Sequence, residues 1–441
     1  MGTRGALPEG FGDGEEGPAL NPSRSAFRAL GRIGIGPILV LAGVLRLVPL
    51  IVHNYLRPLP QGTADAVRFE RLAWEMSQGT RGALWDYIGS AVNLLAYLGS
   101  LIYDVTGRQP VALSLAMVVL GVAMVYVVYR IVFDITCDSV ASRVAALATA
   151  VFPQLVLHSV LFLREIPVAF LLLVGFWGAT RFLTRQSLPG LVVFCASTFL
   201  ATLFHTGAII AIPGLLLGTL IARSGTERRG FGRLVVNATA VMALLGVITF
   251  MDQTGIGLGK FGGSFDSAMD VFETSEARST MGGAAYPEWM RIRGGIESEG
   301  WKIPIRYMAF LFSPLVPFLV RGGSHLLGVL DAGLYMVMFG VILRNWRGIL
   351  QNRALLALLV MGLSLAFVYA LGVSNFGTAI RHRAKIVPLF IVISVSVHAL
   401  LSTRAPAAIR FSGKSLDSRI RTPSGTGSHT ARPPRLRTGS R

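Results

Sequence analysis

Apolar runs of about 17–20 residues recur along most of this chain, and that recurrence constrains the fold more than any other feature. Each run is long enough to cross a bilayer core of about 30 Å. Backbone in hydrocarbon must satisfy its own N–H and C=O groups, so such runs cross as helices. Composition agrees, with 52% of the 441 residues hydrophobic and only 15% charged, against about 25% charged in soluble domains. The expected fold class is an all-α polytopic membrane protein of about 10, or 10–12, transmembrane helices.

The candidate spans are 34–52, 111–130, 141–158, 166–183, 188–205, 207–222, 233–251, 325–343, 354–372 and 384–402. Orientation follows Lys and Arg in the short connections. Arg24, Arg28 and Arg32 precede the first span, and Arg181 and Arg185 follow the fourth. Arg223, Arg228, Arg229 and Arg233 lie after the sixth, and Arg344, Arg347 and Arg353 after the eighth. Ten spans put all of these on one side, which the charge rule makes the cytoplasm, together with both termini. A multi-pass protein of the plasma membrane is expected.

Residues 1–32 are polar and read as a disordered cytoplasmic N-terminus, and 33–402 as the transmembrane domain. The stretch 403–441 reads as a disordered basic tail. From Ser402 onward nine Lys or Arg face one acid, Asp417. Such a tail is expected to touch anionic lipid headgroups. The net charge of +18 therefore does not imply a nucleic-acid partner. No cleavable leader is evident, so the first span reads as an anchor. Cys137 and Cys195 suggest neither a disulfide framework nor a metal site.

Two large outer loops are expected, 53–110 and 252–304. The first holds an amphipathic segment, Asp65–Gln78, and an interrupted apolar stretch, Ile88–Tyr103, which read as membrane-surface helices. The segment 305–320, broken by Pro314 and Pro317, reads as re-entrant or surface-lying.

Against this topology one segment is anomalous. Asn375–Pro388 places Arg381, His382, Arg383 and Lys385 between two apolar runs on the non-cytoplasmic face. Basic residues are normally depleted there. A phosphate is the obvious ligand for such a knot, since Arg offers a rigid fork of donors. Gly377 would let backbone approach a ligand closely. The plain alternative is contact with anionic lipid.

Other candidates each have a bland reading as well. Asp65 can be a helix N-cap or a catalytic carboxylate. Arg164 and Glu165, at a span end, are either an interfacial ion pair or a functional pair. His205 can be a packing residue or a donor to phosphate or sugar hydroxyl, and His158 has a weaker claim of the same kind. Arg46, inside the first span, can snorkel or face the site.

Several motifs occur in order. They are D-A-x-x-F-x-x-L-A from Asp65, the long run from Leu94 to Ile131, ASRVAALATAVFP from Ala141, LFLREIPVAFLLL from Leu161, and RHRAKIVP from Arg381. This series resembles the GT-C superfamily of polyprenyl-phosphate-dependent integral membrane glycosyltransferases over residues 34–402. The resemblance implies that Asp65 is a catalytic base or orients the acceptor. It implies that Glu165 assists substrate or a divalent metal, although no metal is demanded by the spacing. It further implies that an arginine of the Arg381–Arg383 cluster holds the lipid-linked phosphate. The adjacent pair of acids frequent in the family's first loop is absent, because Asp65 is flanked by Ala64 and Ala66.

The function so implied is inverting transfer of a sugar from a polyprenyl-phosphate donor to an extracytoplasmic acceptor. A polymerase or ligase acting on a lipid diphosphate-linked glycan would use the same arginines without an Asp base. A transporter or flippase would need inverted repeats and charges near mid-membrane, and the apolar runs show few such charges.

Overall fold

The computed structural model describes residues 33–88, 91–222, 285–292, 298–313 and 323–412, with the isolated positions 246 and 249. The described residues are helical apart from turns, short loops and one isolated bridge between Ala285 and Asn375. The expected N-terminal stretch 1–32, the span 233–251, the basic connection Arg223–Arg233, Pro314, Pro317 and most of the tail lie outside the described residues. The chain divides into a unit ending at Leu400 and a C-terminal unit, Leu401–Arg441.

The first helix, α1, is Ile35–Ile51 and ends in a π-turn, Val52–Leu56. Two helices of the first loop follow, α2 (Asp65–Glu75) and α3 (Ala91–Thr106), and they pack on each other. The amphipathic expectation for α2 holds, since Ala66, Phe69 and Ala73 are buried while Arg68 and Arg71 are exposed. Next come α4 (Pro110–Thr136), α5 (Ser139–Val151) and α6 (Pro153–His158). Pro110 starts α4 at a position where its missing N–H costs nothing. Cys137 in the left-handed region ends α4, and the Asp138 carboxylate accepts from Val140 N and Ala141 N to start α5.

One expected span is corrected here. The run 141–158 is broken between α5 and α6, because Pro153 cannot donate to the ladder and disfavours helix at Phe152. Downstream lie α7 (Glu165–Arg185), α8 (Leu188–Phe204), a 3₁₀ turn (Thr206–Ile210) and α9 (Ala211–Ile221). The α7–α8 contact is close because a Cβ on Gly178 would lie 2.5 Å from Gly190 O.

The remaining helices are α10 (Ile303–Phe312), α11 (Gly323–Arg344), α12 (Trp346–Gln351), α13 (Arg353–Leu371), α14 (Phe376–Arg383) and α15 (Val387–Ser412). With ten residues, α10 is about 15 Å long, half a bilayer core. The last helix continues past 402 to Ser412.

Five helices among the described residues are long and apolar enough to cross a membrane, or six if α14 and α15, bent by 53°, form one broken span. Three shorter apolar helices accompany them: α5, α8, and α9 with its preceding turn. The chain is therefore a multi-pass membrane protein. Its lipid-type exterior is visible in Val40, Val44, Val48, Val119, Val192 and Val337, which are exposed although fully apolar.

Candidate functional site

Three segments far apart in sequence bring their helix ends together. The loop before α2 is tightly fixed. Leu59 N donates to His53 Nδ1, a Cβ on Gly62 would come within 2.6 Å of the His53 ring, and Gln61 takes φ +66°. Ala64 takes φ +50°, ψ −97°, a strained conformation for a residue with a Cβ. Asp65 follows at once as the first residue of α2.

Glu165 opens α7 after the turn that follows α6. Arg381 lies in the last turn of α14. That helix starts because Asn375 Oδ1 accepts from Gly377 N and Thr378 N. Gly377 thus serves the cap, and a Cβ there would meet Asn375 Oδ1 at 3.2 Å.

Arg381 bridges the two carboxylates. Its Nη1 donates to Asp65 Oδ2 at 2.7 Å and its Nη2 donates to Glu165 Oε1 at 3.1 Å. The Glu165 side chain is 3% exposed, Arg381 16% and Asp65 44%, so the site opens to solvent at Asp65. Lys385 Nζ lies 3.9 Å from Glu165 Oε1 and 5.3 Å from the Tyr369 ring centroid. Two cations therefore face the buried carboxylate.

Beside them three rings meet edge to face. His205 lies 4.8 Å from His382 and 5.2 Å from Tyr369, and Tyr369 lies 5.2 Å from His382. His158 is fully buried, with Nδ1 2.8 Å from Gln154 O and Nε2 3.0 Å from Gln61 Oε1. A backbone carbonyl only accepts, so in the neutral ring Nδ1 carries the proton, and Nε2 is then an acceptor for the Gln61 amide turned to present its nitrogen.

The structure thus joins Asp65, Glu165, Arg381, His382 and His205, but it separates other candidates. Arg383 is directed elsewhere. It is 0% exposed, donates to Leu311 O at 2.9 Å, pairs with Asp331 at 3.0 Å and lies over the Tyr335 ring. Residues two apart on a helix do not share a face, so of the basic knot expected to bind a phosphate Arg381 faces Asp65 and Arg383 does not. Arg164 lies over the Phe69 ring at 5.6 Å, and burial lowers its pKa.

Arg46 does not snorkel. It is 0% exposed and donates to Ala42 O and Ala150 O. The second bond supplies a donor to a carbonyl in the last turn of α5, where Pro153 ends the ladder. Gly121 makes room for this, since its Cβ would stand 2.9 Å from Arg46 Nε.

Sequence reasoning missed Tyr369 and Asp331. Tyr369 had no signal beyond being an aromatic in an apolar run. Asp331 had one, as a lone acid inside an apolar run. No group of three or more His, Cys, Asp and Glu side chains able to hold a metal ion occurs among the described residues. Arg381, Lys385 and Arg164 supply positive charge beside Asp65 and Glu165.

The chain has the fold of the GT-C membrane proteins that its sequence resembles. Solved structures show this at low identity. The oligosaccharyltransferase of Archaeoglobus fulgidus in its apo form aligns at TM-score 0.51 and 15% identity, covering 87% of this chain and 52% of that one. The same protein, AglB, in complex with an inhibitory peptide and a dolichol-phosphate gives the same values. Its complex with Zn and sulfate aligns at TM-score 0.50 and 16% identity, covering 86% and 51%. The chain spans about half the length of these structures. No protein-family model and no curated protein sequence matches it.

Proposed function

We propose that this protein is a membrane glycosyltransferase that moves a sugar from a polyprenyl-phosphate donor to an extracytoplasmic acceptor with inversion. The observation that carries the reading is the Arg381 bridge between a half-open carboxylate, Asp65, and a buried one, Glu165. An arginine so placed is already oriented and partly desolvated, and its fork suits a phosphate as well as a carboxylate. The dolichol-phosphate in the AglB complex supports a lipid phosphate as the ligand.

In this mechanism Arg381 turns from Asp65 to the donor phosphate, while Glu165 keeps the guanidinium's other edge. Asp65, now free, takes the proton of the acceptor hydroxyl. The hydroxyl oxygen attacks the anomeric carbon as the bond from that carbon to the phosphate oxygen breaks. The electron pair leaves on the phosphate, where Arg381 and Lys385 stabilise it. One displacement inverts the anomeric centre and needs no covalent enzyme intermediate. His205 and His382 are placed to hydrogen-bond the phosphate or a sugar hydroxyl. The site faces outward in the topology that the basic connections support.

The test is transfer from a radiolabelled polyprenyl-monophosphate sugar by protein purified in detergent. Asp65→Asn should abolish transfer while the protein still extracts from membranes and unfolds at an unchanged temperature. Transfer retained by that variant would remove the base role. Transfer from diphosphate-linked donors alone would replace the monophosphate reading with the polymerase or ligase one.

A further inference from the structure

A second charged cluster lies at the other end of α7. That helix has 21 residues, so it spans about 30 Å from Glu165 to Arg185. Trp177 and Arg181 lie about 18 and 24 Å from Glu165 along its axis. Here α7 meets the last turns of α4, which carry Arg130 and Asp134.

Asp134 is buried and both of its oxygens are engaged. Trp177 Nε1 donates to Oδ2 at 2.9 Å, and Arg185 Nη2 donates to Oδ1 at 2.7 Å. The indole is thereby fixed. The Arg130 and Arg181 guanidinium carbons lie 5.9 Å and 5.3 Å from the centroid of that one ring. Neither arginine forms an ion pair among the described residues, and the Nε atom of each is shielded from solvent without a hydrogen-bond partner. Arg130 Nη1 donates to the Tyr126 hydroxyl at 3.4 Å, but no acid joins either guanidinium among the described residues, and two like charges within 6 Å of one ring repel until an anion bridges them.

We propose that Arg130, Trp177 and Arg181 bind the phosphate of an anionic phospholipid headgroup. A membrane lipid fits better than a free anion because the site continues into apolar surface. One turn away on α4, on the face of Arg130, Tyr126 and Phe133 are exposed, so an acyl chain can lie beside the headgroup. The site is separate from the Asp65–Glu165–Arg381 cluster and does not depend on the glycosyltransferase reading. Indole and guanidinium groups together suit the edge of a bilayer.

The full chain, purified in a neutral detergent, is mixed with phosphatidylglycerol, phosphatidylcholine or inorganic phosphate, and bound lipid is counted by native mass spectrometry. One phosphatidylglycerol should be retained at least about tenfold more tightly than phosphatidylcholine. Inorganic phosphate should not displace it. The preference should be lost in R130Q/R181Q and kept in R71Q, which removes an exposed arginine of α2 far from this cluster. If the double variant cannot be recovered, R181Q alone carries the same comparison. Equal retention of the two lipids, displacement by inorganic phosphate, or an unchanged preference in the arginine variants would overturn the proposal.

Discussion

Arg383 and Asp331 form an ion pair at 3.0 Å in which both side chains are removed from solvent, at 0% and 1% exposure. The pair ties α14 to α11, and Arg383 also donates to Leu311 O on α10. The Tyr335 hydroxyl donates to Arg383 O, so backbone and side chain of this one residue are both fixed. Removing one partner leaves a buried charge uncompensated, at a cost of about 3–5 kcal/mol. Arg383→Met should therefore lower the thermal midpoint sharply in detergent. Asp331→Asn combined with Arg383→Met should recover most of the loss, because an uncharged pair has no such penalty. A double variant no more stable than the single one would show that the charge is not the cause.

Arg381 has a different task two residues earlier. Its two nitrogens hold two different carboxylates in a fixed planar fork, which a point-like ammonium does not reproduce. Arg381→Lys should keep the charge and the fold but lower the rate of sugar transfer about 10²–10³-fold, the range for losing one oriented donor to a developing charge. Single-turnover rates at saturating donor measure this directly. A change confined to KM would mean that Arg381 only binds the donor.

The sequence made part of the bundle readable, because a long apolar run has only one way to cross lipid; about ten spans are expected, and five or six helices among the described residues are long and apolar enough. The runs at 166–183 and 354–372 became α7 and α13 within two residues, while α4 runs six residues past the expected end at 130. The break at Pro153 is written in the sequence but hidden, since the run on both sides of it is apolar. The site was half legible. The resemblance picked out Asp65, Glu165 and the Arg381 cluster, but not which arginine faces the two acids. That choice is set by helix rotation, which points Arg381 at α2 and α7 and Arg383 at α11. Arg46 failed as a site candidate because the donor it supplies at Ala150 O answers a helix break that only the tertiary structure reveals. Tyr369 could not be foreseen, since its place depends on the packing of α13 against the 3₁₀ turn after His205.

The strained residue before Asp65 gives a third expectation. Ala64 at φ +50° pays for its Cβ, and glycine would not. Ala64→Gly should raise stability by about 1 kcal/mol if the strain only shapes the loop. Glycine also adds freedom to the unfolded chain, which offsets part of that gain. If the strain presets Asp65 for Arg381, the same variant should be more stable yet slower in transfer. Thermal melts and transfer rates on one preparation separate these outcomes. A variant that is less stable than the parent would mean that the loop gains nothing from relief at this position.

The arrangement of both charged clusters rests on one topology, and the native cysteines offer a way to test it. Cys137 is exposed in the turn between α4 and α5, at the arginine-rich end, whereas Cys195 is partly buried in α8. With Cys195 replaced by Ser, Cys137 should react with a membrane-impermeant maleimide only after the cells are permeabilised. A cysteine placed at the exposed position of Arg71 on α2, in a chain lacking both native cysteines, should react in intact cells. These opposite outcomes follow from the proposed topology, in which α4 crosses the bilayer once between the first loop and Cys137 and the charge rule puts Arg130, Arg181 and Arg185 on the cytoplasmic side. If both positions react from outside, α4 does not cross, and the open carboxylate of Asp65 would share a face with the arginines. That result would remove the separation on which the lipid site and the transferase site both depend.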